Sequence, residues 1–101
     1  MILHTVNKSP FERGALESCL DHAQPGSAVL MLEDGVYGAV TGSRVADKVA
    51  QAAKDCKLYV LGPDLAARGI AQDKLIAGID VVDYGGFVDL AAENTSVQAW
   101  L

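Results

Sequence analysis

Residues 27–33 (SAVLMLE) constrain the fold more than any other part of the sequence. Apolar residues fill successive positions from 28 to 32, so an extended strand there would be apolar on both faces. Such strands are typical of parallel sheets covered on both sides, because neither face meets water. The turn signal Asp34-Gly35 ends the segment. The apolar run is also far shorter than the ~20 residues that a bilayer-spanning helix requires.

Strand and helix signals alternate along the chain. The predicted strands are 2–6, 27–33, 57–61, 79–82 and 96–101, and the predicted helices are 10–23, 44–54, 65–68 and 84–93, with a helical turn at 36–40 and either a loop or a loose helical turn at 70–78. Connections of this length allow parallel pairing through crossover helices. We expect an α/β fold: one domain over residues 1–101, of flavodoxin-like size, with a mostly parallel five-stranded sheet and helices on both faces. The sequence leaves the strand order open.

The start of the first predicted helix carries a capping signal. Ser9 is a good N-cap, Pro10 suits the first helical position, and Glu12 stands at the capping-box spacing. An apolar stripe follows, made of Leu16, Cys19, Leu20 and Ala23. Asp64 and Asp83 are the predicted caps of two later helices, and Gly69 is the predicted residue after the third helix.

Charge and composition exclude several classes of function. The net charge is −5, and the eight Lys and Arg residues are scattered singly, which argues against a nucleic-acid surface. The first residues lack the basic region and cleavage site of a signal peptide. We therefore expect a cytoplasmic protein with free thiols, with no direct contact to nucleic acid or membrane. Cys19 and Cys56 form neither a CxxC pair nor a metal-ligand cluster, and we expect no metal and no cofactor.

The predicted strand ends offer carboxylates but no phosphate cradle. Asp34, Asp64 and Asp83 follow strands, where open parallel sheets bind ligands. They could line an active rim, but strand-to-helix turns need such residues as caps and turn residues anyway, and we favour that interpretation. The glycines at 35, 38 and 42 match neither GxGxxG nor GxxxxGK[ST], which disfavours nucleotide binding.

The thiols and histidines are the remaining candidates for chemistry. On its apolar stripe, Cys19 is expected to be a small buried hydrophobe, and a functional thiol there would need an opening and a nearby cation. His22, three residues later, could favour the Cys19 thiolate if the two side chains touched. Cys56 is expected to be a semi-exposed cysteine before the third strand, and His4 a hydrogen-bonded structural histidine.

Several segments, in this order, resemble the DsrH/TusB family from the first residue to the last. They are 2–5 (ILHT), 8–10 (KSP), 32–36 (LEDGV), 59–61 (YVL), 64–69 (DLAARG), 83–84 (DY) with 87–88 (FV), and 98–101 (QAWL). The resemblance implies a subunit of a cytoplasmic sulfur-relay complex, a heterohexamer with two copies each of this chain and of DsrE-like and DsrF-like partners. It also implies sulfur exchange with a DsrC-like protein during sulfur oxidation. In the TusB branch the implied acceptor is TusE-like and the outcome is 2-thiolation of the tRNA wobble uridine.

The same resemblance bears on Cys19. The family's principal persulfide cysteine belongs to the DsrE or TusD sibling, on a loop where this chain has no cysteine. DsrH proteins of sulfur oxidisers carry one on the first helix, which Cys19 matches, whereas TusB proteins generally lack it. Three roles stay open: a sulfurtransferase-type persulfide carrier using Cys19, a non-catalytic structural subunit, and an unrelated ligand-binding domain. The terminal Trp100 and Leu101 could anchor a partner or dock onto the chain's own sheet.

Overall fold

The computed structural model describes all of residues 1–101, and a five-stranded sheet lies at its centre. The strands are β1 (Ile2–Val6), β2 (Ala28–Met31), β3 (Lys57–Leu61), β4 (Ile79–Val82) and β5 (Ser96–Trp100). Their order across the sheet is β4-β3-β2-β1-β5, and every neighbouring pair is parallel. The predicted α/β class with a parallel five-stranded sheet is confirmed.

Helical segments occupy every connection between strands. The α-helices are α1 (Ala15–His22), α2 (Ala46–Ala52), α3 (Gly62–Ala67) and α4 (Tyr84–Glu93), and two 3₁₀ segments span Glu33–Ala39 and Gln72–Lys74. None of the helices combines the length and the apolar character that a bilayer crossing requires. The ambiguous stretch 70–78 thus contains one short helical turn, flanked by irregular chain.

The two faces of the sheet carry separate cores. On one face, here called the α1 face, side chains such as Val6, Val29 and Val60 pack with α1 and α2 in the larger cluster. On the other, the α4 face, Leu3 and Leu30 pack against α4. All four residues of β2 are buried, because both faces of this strand are covered. This is the environment that its unbroken apolar run predicts.

β5 is much less covered than the other strands. It pairs with β1 on one side only and forms one edge of the sheet. Four of its five residues are exposed. Val97 is paired with Leu3, so it points to the α4 face, yet its side chain remains 49% exposed. The α4 helix therefore leaves the β5 end of this face open.

The predicted start of the first helix is wrong. The α1 helix begins at Ala15, five residues later than predicted, and no side chain caps it. The Ser9 hydroxyl accepts a hydrogen bond from the Phe11 amide at 3.2 Å, so it closes a turn before the helix. Arg44 Nη2 donates to the Pro10 carbonyl at 2.8 Å, which occupies an acceptor that a helix starting there would use for its own backbone.

Other element boundaries differ less. Asp83 caps α4 as predicted, because its carboxylate accepts from the Gly86 amide at 2.7 Å. Asp64 does not cap a helix: α3 begins at Gly62, and Asp64 lies inside its first turn. Gly69 has φ +66°, the left-handed conformation expected of a residue following a helix.

Candidate functional site

Cys19 lies on the sheet-facing side of α1 and has no exposed surface. It belongs to the larger core, together with Val29, Val49 and Cys56. Burial, together with a smaller contribution from the neighbouring Cys56, raises the pKa of the Cys19 thiol to about 12. Because the thiolate is the nucleophile in sulfur transfer, this environment holds Cys19 in its unreactive form. The expectation of a buried thiol on an apolar stripe matches what the structure shows.

Cys56 is buried as well, so the expected semi-exposed position is wrong. Its amide donates to the Ala52 carbonyl at 2.8 Å, which turns the end of α2 back toward β3 and brings the side chain inside. The thiol itself donates to the Gln24 carbonyl at 3.6 Å. Burial raises the pKa of the Cys56 thiol, and the nearby Asp55 charge adds to this. Both thiols of the chain are therefore enclosed and protonated at neutral pH.

No cation lies where it would activate Cys19. His22 Nδ1 is 2.6 Å from the Ser18 carbonyl, one turn back along α1. Its ring packs on Trp100, with 5.8 Å between ring centroids. The His22 ring therefore contacts Ser18 and Trp100. The hypothesis that His22 supports a Cys19 thiolate finds no contact in this structure.

The carboxylates at the strand ends are engaged within the chain. Arg68 binds Asp34 Oδ1 through Nε at 3.0 Å and through Nη2 at 2.9 Å, and it donates from Nη1 to the Asp64 carbonyl at 3.2 Å. Asp64 Oδ2 accepts from the Glu33 amide at 2.6 Å. These contacts fix the 3₁₀ segment after β2 to the start of α3. Asp83 is a helix cap, as favoured from the sequence, whereas Asp64 caps no helix and instead accepts from the Glu33 amide. Arg68 is a partner that its sequence position did not reveal.

Gly35 lets this 3₁₀ segment cross the end of β1. A Cβ atom at Gly35 would lie 2.1 Å from the Val6 carbonyl oxygen, far inside contact distance. Any side chain would therefore force the two backbones apart. This gives a physical reason for the glycine in the LEDGV segment noted in the sequence.

A cavity of about 340 Å³ opens beside the amino-terminal half of β1 on the α1 face. We call it the His4 cavity, and its polar and aromatic lining consists of His4, His22, Gln24, Ser27, Gln98 and Trp100. Trp100 Nε1 donates to His4 Nδ1 at 3.0 Å, so Trp100 docks onto its own sheet while Leu101 stays exposed. Sequence reasoning missed this cluster, because its members meet only when β5 is placed beside β1.

The structure contains no grouping of three or more His, Cys, Asp or Glu side chains able to hold a metal ion.

The fold and the enclosed thiols define the class of protein: a small parallel α/β chain whose cysteines and strand-end carboxylates are all engaged internally. Two solved structures share this fold. YchN from Escherichia coli has a TM-score of 0.83 at 14% identity, covering 98% of this chain and 97% of its own. MTH1491 from Methanobacterium thermoautotrophicum, described as a protein of unknown function, has a TM-score of 0.77 at 19% identity, covering 97% and 96%.

Sequence comparison identifies the family. The family described as DsrH like protein matches residues 8–97. Proteins named TusB are similar over 98% of this chain and 100% of their own length: 33% identical in Pectobacterium parmentieri, 38% in Erwinia tasmaniensis and 36% in Escherichia coli K12. The chain belongs to the DsrH/TusB family. Membership of this family supports a role in sulfur relay.

Proposed function

We propose that this chain is a subunit of a sulfur-relay complex, assembled with DsrE-like and DsrF-like partners as a heterohexamer holding two copies of each. Membership of the DsrH/TusB family over residues 8–97 supports the relay role. Full-length similarity to proteins named TusB supports it further. Within such a complex, sulfur would pass as a cysteine persulfide and be exchanged with a DsrC-like protein.

The observation that carries the role of this particular chain is the enclosure of both thiols. A relay cysteine must present its thiolate to the sulfur of another protein. Cys19 is fully buried with its pKa raised to about 12, and Cys56 is buried beside the Gln24 carbonyl. These environments favour a subunit that shapes the complex while a sibling subunit carries the persulfide.

Exposed apolar side chains indicate where the partners would bind. Tyr84 and Val88 on α4 are 61% and 66% exposed, and Val97 on the same side of the sheet is 49% exposed. Apolar surface of this kind is typical of protein interfaces. The free edge of β5 adds unpaired backbone groups next to Val97. Exposed edge strands can pair with other chains, and a bound partner subunit would cover these groups.

Assembly tests this proposal. The double variant Val88→Glu with Val97→Glu, co-expressed with the DsrE-like and DsrF-like chains, should lose the heterohexamer on size-exclusion chromatography. Both positions are exposed, so the chain itself should fold, which circular dichroism would verify. The matched control is Ala50→Glu, which adds a carboxylate on the exposed side of α2. A double variant that co-elutes with its partners as the wild type does would refute the α4 face as the interface.

A persulfide-carrying role for Cys19 is the second candidate. The helix that covers the thiol is eight residues long, lacks a side-chain cap and follows an irregular segment, so a partner could displace it at modest cost. The Cys19 thiolate would then attack the outer sulfur of a partner's persulfide. A new S–S bond would form at Cys19 as the partner's S–S bond breaks, and the partner's cysteine would leave as its thiolate.

The two branches of the family differ in the acceptor and in the final product. We favour sulfur oxidation with a DsrC-like protein, because the first-helix cysteine matches that branch; the alternative is a TusE-like acceptor and tRNA wobble-uridine 2-thiolation. Deleting the gene should then abolish oxidation of stored sulfur and leave 2-thiouridine in tRNA unchanged. Loss of 2-thiouridine with intact sulfur oxidation would assign the chain to the TusB branch.

A further inference from the structure

The His4 cavity contains two hydrogen-bond donors that the chain itself leaves unused. His4 is only 4% exposed and Ser27 only 2%. The His4 ring is hydrogen-bonded through Nδ1 to Trp100, and neither His4 Nε2 nor Ser27 Oγ is hydrogen-bonded to another residue. Both residues line the same cavity. Neither atom is among the fully enclosed, unpartnered atoms of the chain, so both are reached from the cavity and are available to a bound solute.

The tautomer of His4 is fixed by its neighbour. The Trp100 indole can only donate, so His4 Nδ1 accepts its hydrogen bond and must carry a lone pair. Burial lowers the pKa of His4, which keeps the ring neutral. In a neutral imidazole the proton then resides on Nε2. His4 therefore presents a fixed N–H donor to the cavity.

Ser27 is held in place by its backbone. Its amide donates to the Gln24 carbonyl at 3.0 Å, and its carbonyl accepts from the Lys57 amide at 2.9 Å. The hydroxyl can still rotate and donate to a solute. The side chains of Gln24 and Gln98 supply further amide groups to the same lining, and no Asp or Glu is part of it.

We propose that the His4 cavity binds a small oxyanion whose oxygen atoms accept hydrogen bonds from His4 Nε2 and Ser27 Oγ. Neutral N–H and O–H donors in a cavity whose lining contains no carboxylate suit an anionic oxygen, because hydrogen bonds to a charged acceptor are stronger than those between neutral groups. The volume of about 340 Å³ falls within the range of small-molecule pockets. The ligand is therefore either an inorganic oxyanion or the carboxylate of a small organic acid.

Trp100, the single tryptophan of the chain, makes the proposal measurable. The full chain would be titrated with sodium phosphate, sulfate and acetate against sodium chloride at constant ionic strength. Indole emission and the ¹⁵N resonances of the histidine rings would be recorded. We expect a saturable change in both signals. Saturation by phosphate or sulfate would identify an inorganic oxyanion, and saturation by acetate alone would identify a carboxylate ligand.

Matched variants separate this site from general anion effects. Ser27→Ala should raise the half-saturating concentration at least tenfold. Ser43→Ala makes the same change at a serine with a buried, unpartnered hydroxyl outside the cavity, and it should bind as the wild type does. No saturable response to any of the three anions, or equal binding by Ser27→Ala and the wild type, would overturn the proposal. The assay uses no partner protein, so its outcome is independent of the proposed relay function.

Discussion

Cys19 in the folded chain should react with alkylating reagents at least about a thousandfold more slowly than an ordinary cysteine. Its pKa is raised from 9.0 to about 12, chiefly by burial. Each unit of pKa lowers the thiolate fraction tenfold at a pH below both values, so three units reduce it by about 10³. The absence of exposed surface slows the reaction further, because the reagent must also reach the sulfur.

The assay is iodoacetamide modification followed by intact-mass spectrometry. The Cys56→Ala variant leaves Cys19 as the sole thiol, and Cys19→Ala serves as its counterpart. The rate for each folded variant is compared with the rate for the same variant in urea. Between pH 7 and 9 the Cys19 rate should rise about tenfold per unit, because the thiolate fraction rises by that factor.

A low-pKa relay thiol behaves differently. Its rate would level off by about pH 8, where the thiolate is already the major form. A folded-state rate within tenfold of the urea rate, or a plateau below pH 8, would refute the enclosed-thiol account of Cys19.

Three further predictions concern stability. Gly35→Ala should lower the free energy of unfolding by about 3 kcal/mol or more in urea titrations, since the added Cβ meets the backbone of β1. The control is Gly14→Ala, which has open space around the added Cβ and should change the free energy of unfolding by less than about 1 kcal/mol. Arg68→Ala should lower the free energy of unfolding by about 1–2 kcal/mol, because the contacts to Asp34 are lost; the value is modest because the ion pair is partly exposed. In 1 M salt the difference in stability between the variant and the wild type should be smaller. Cys19 has a folded-state pKa above its ordinary 9.0, so its contribution to stability is intact below pH 9 and falls by about 1.4 kcal/mol per pH unit between pH 9 and 12. Cys19→Ala should therefore lose stability less steeply than the wild type over this range, and the raised pKa of Cys56 should account for part of the decline that remains.

Much of the fold follows from local sequence signals. The bounds of β1, β3, β4 and α4 are those predicted, because each element has a clear apolar run or cap and a turn signal at its end. The start of α1 does not follow, since Arg44 reaches Pro10 from a distant part of the chain. A capping rule that considers only neighbouring residues does not include a contact from so far along the chain. The strand order, too, depends on packing between distant segments.

The candidate site follows from the sequence only in part. The apolar stripe of the first helix predicts the burial of Cys19, because residues on one helical face share one environment. The His4–Trp100 pair and the cavity beside it depend on β5 lying next to β1. The burial of Cys56 depends on how the chain turns between α2 and β3. These features arise from tertiary contacts that no local motif encodes.

The most direct test of the central claim is sulfur loading of the assembled complex. The complex of this chain with DsrE-like and DsrF-like partners would be incubated with a persulfide donor, and the intact mass of each subunit would be measured for wild type, Cys19→Ser and Cys56→Ser. We predict a gain of one sulfur, about 32 Da, on a sibling subunit and none on this chain. A gain on this chain that disappears only in Cys19→Ser would contradict the structural role and establish Cys19 as a carrier.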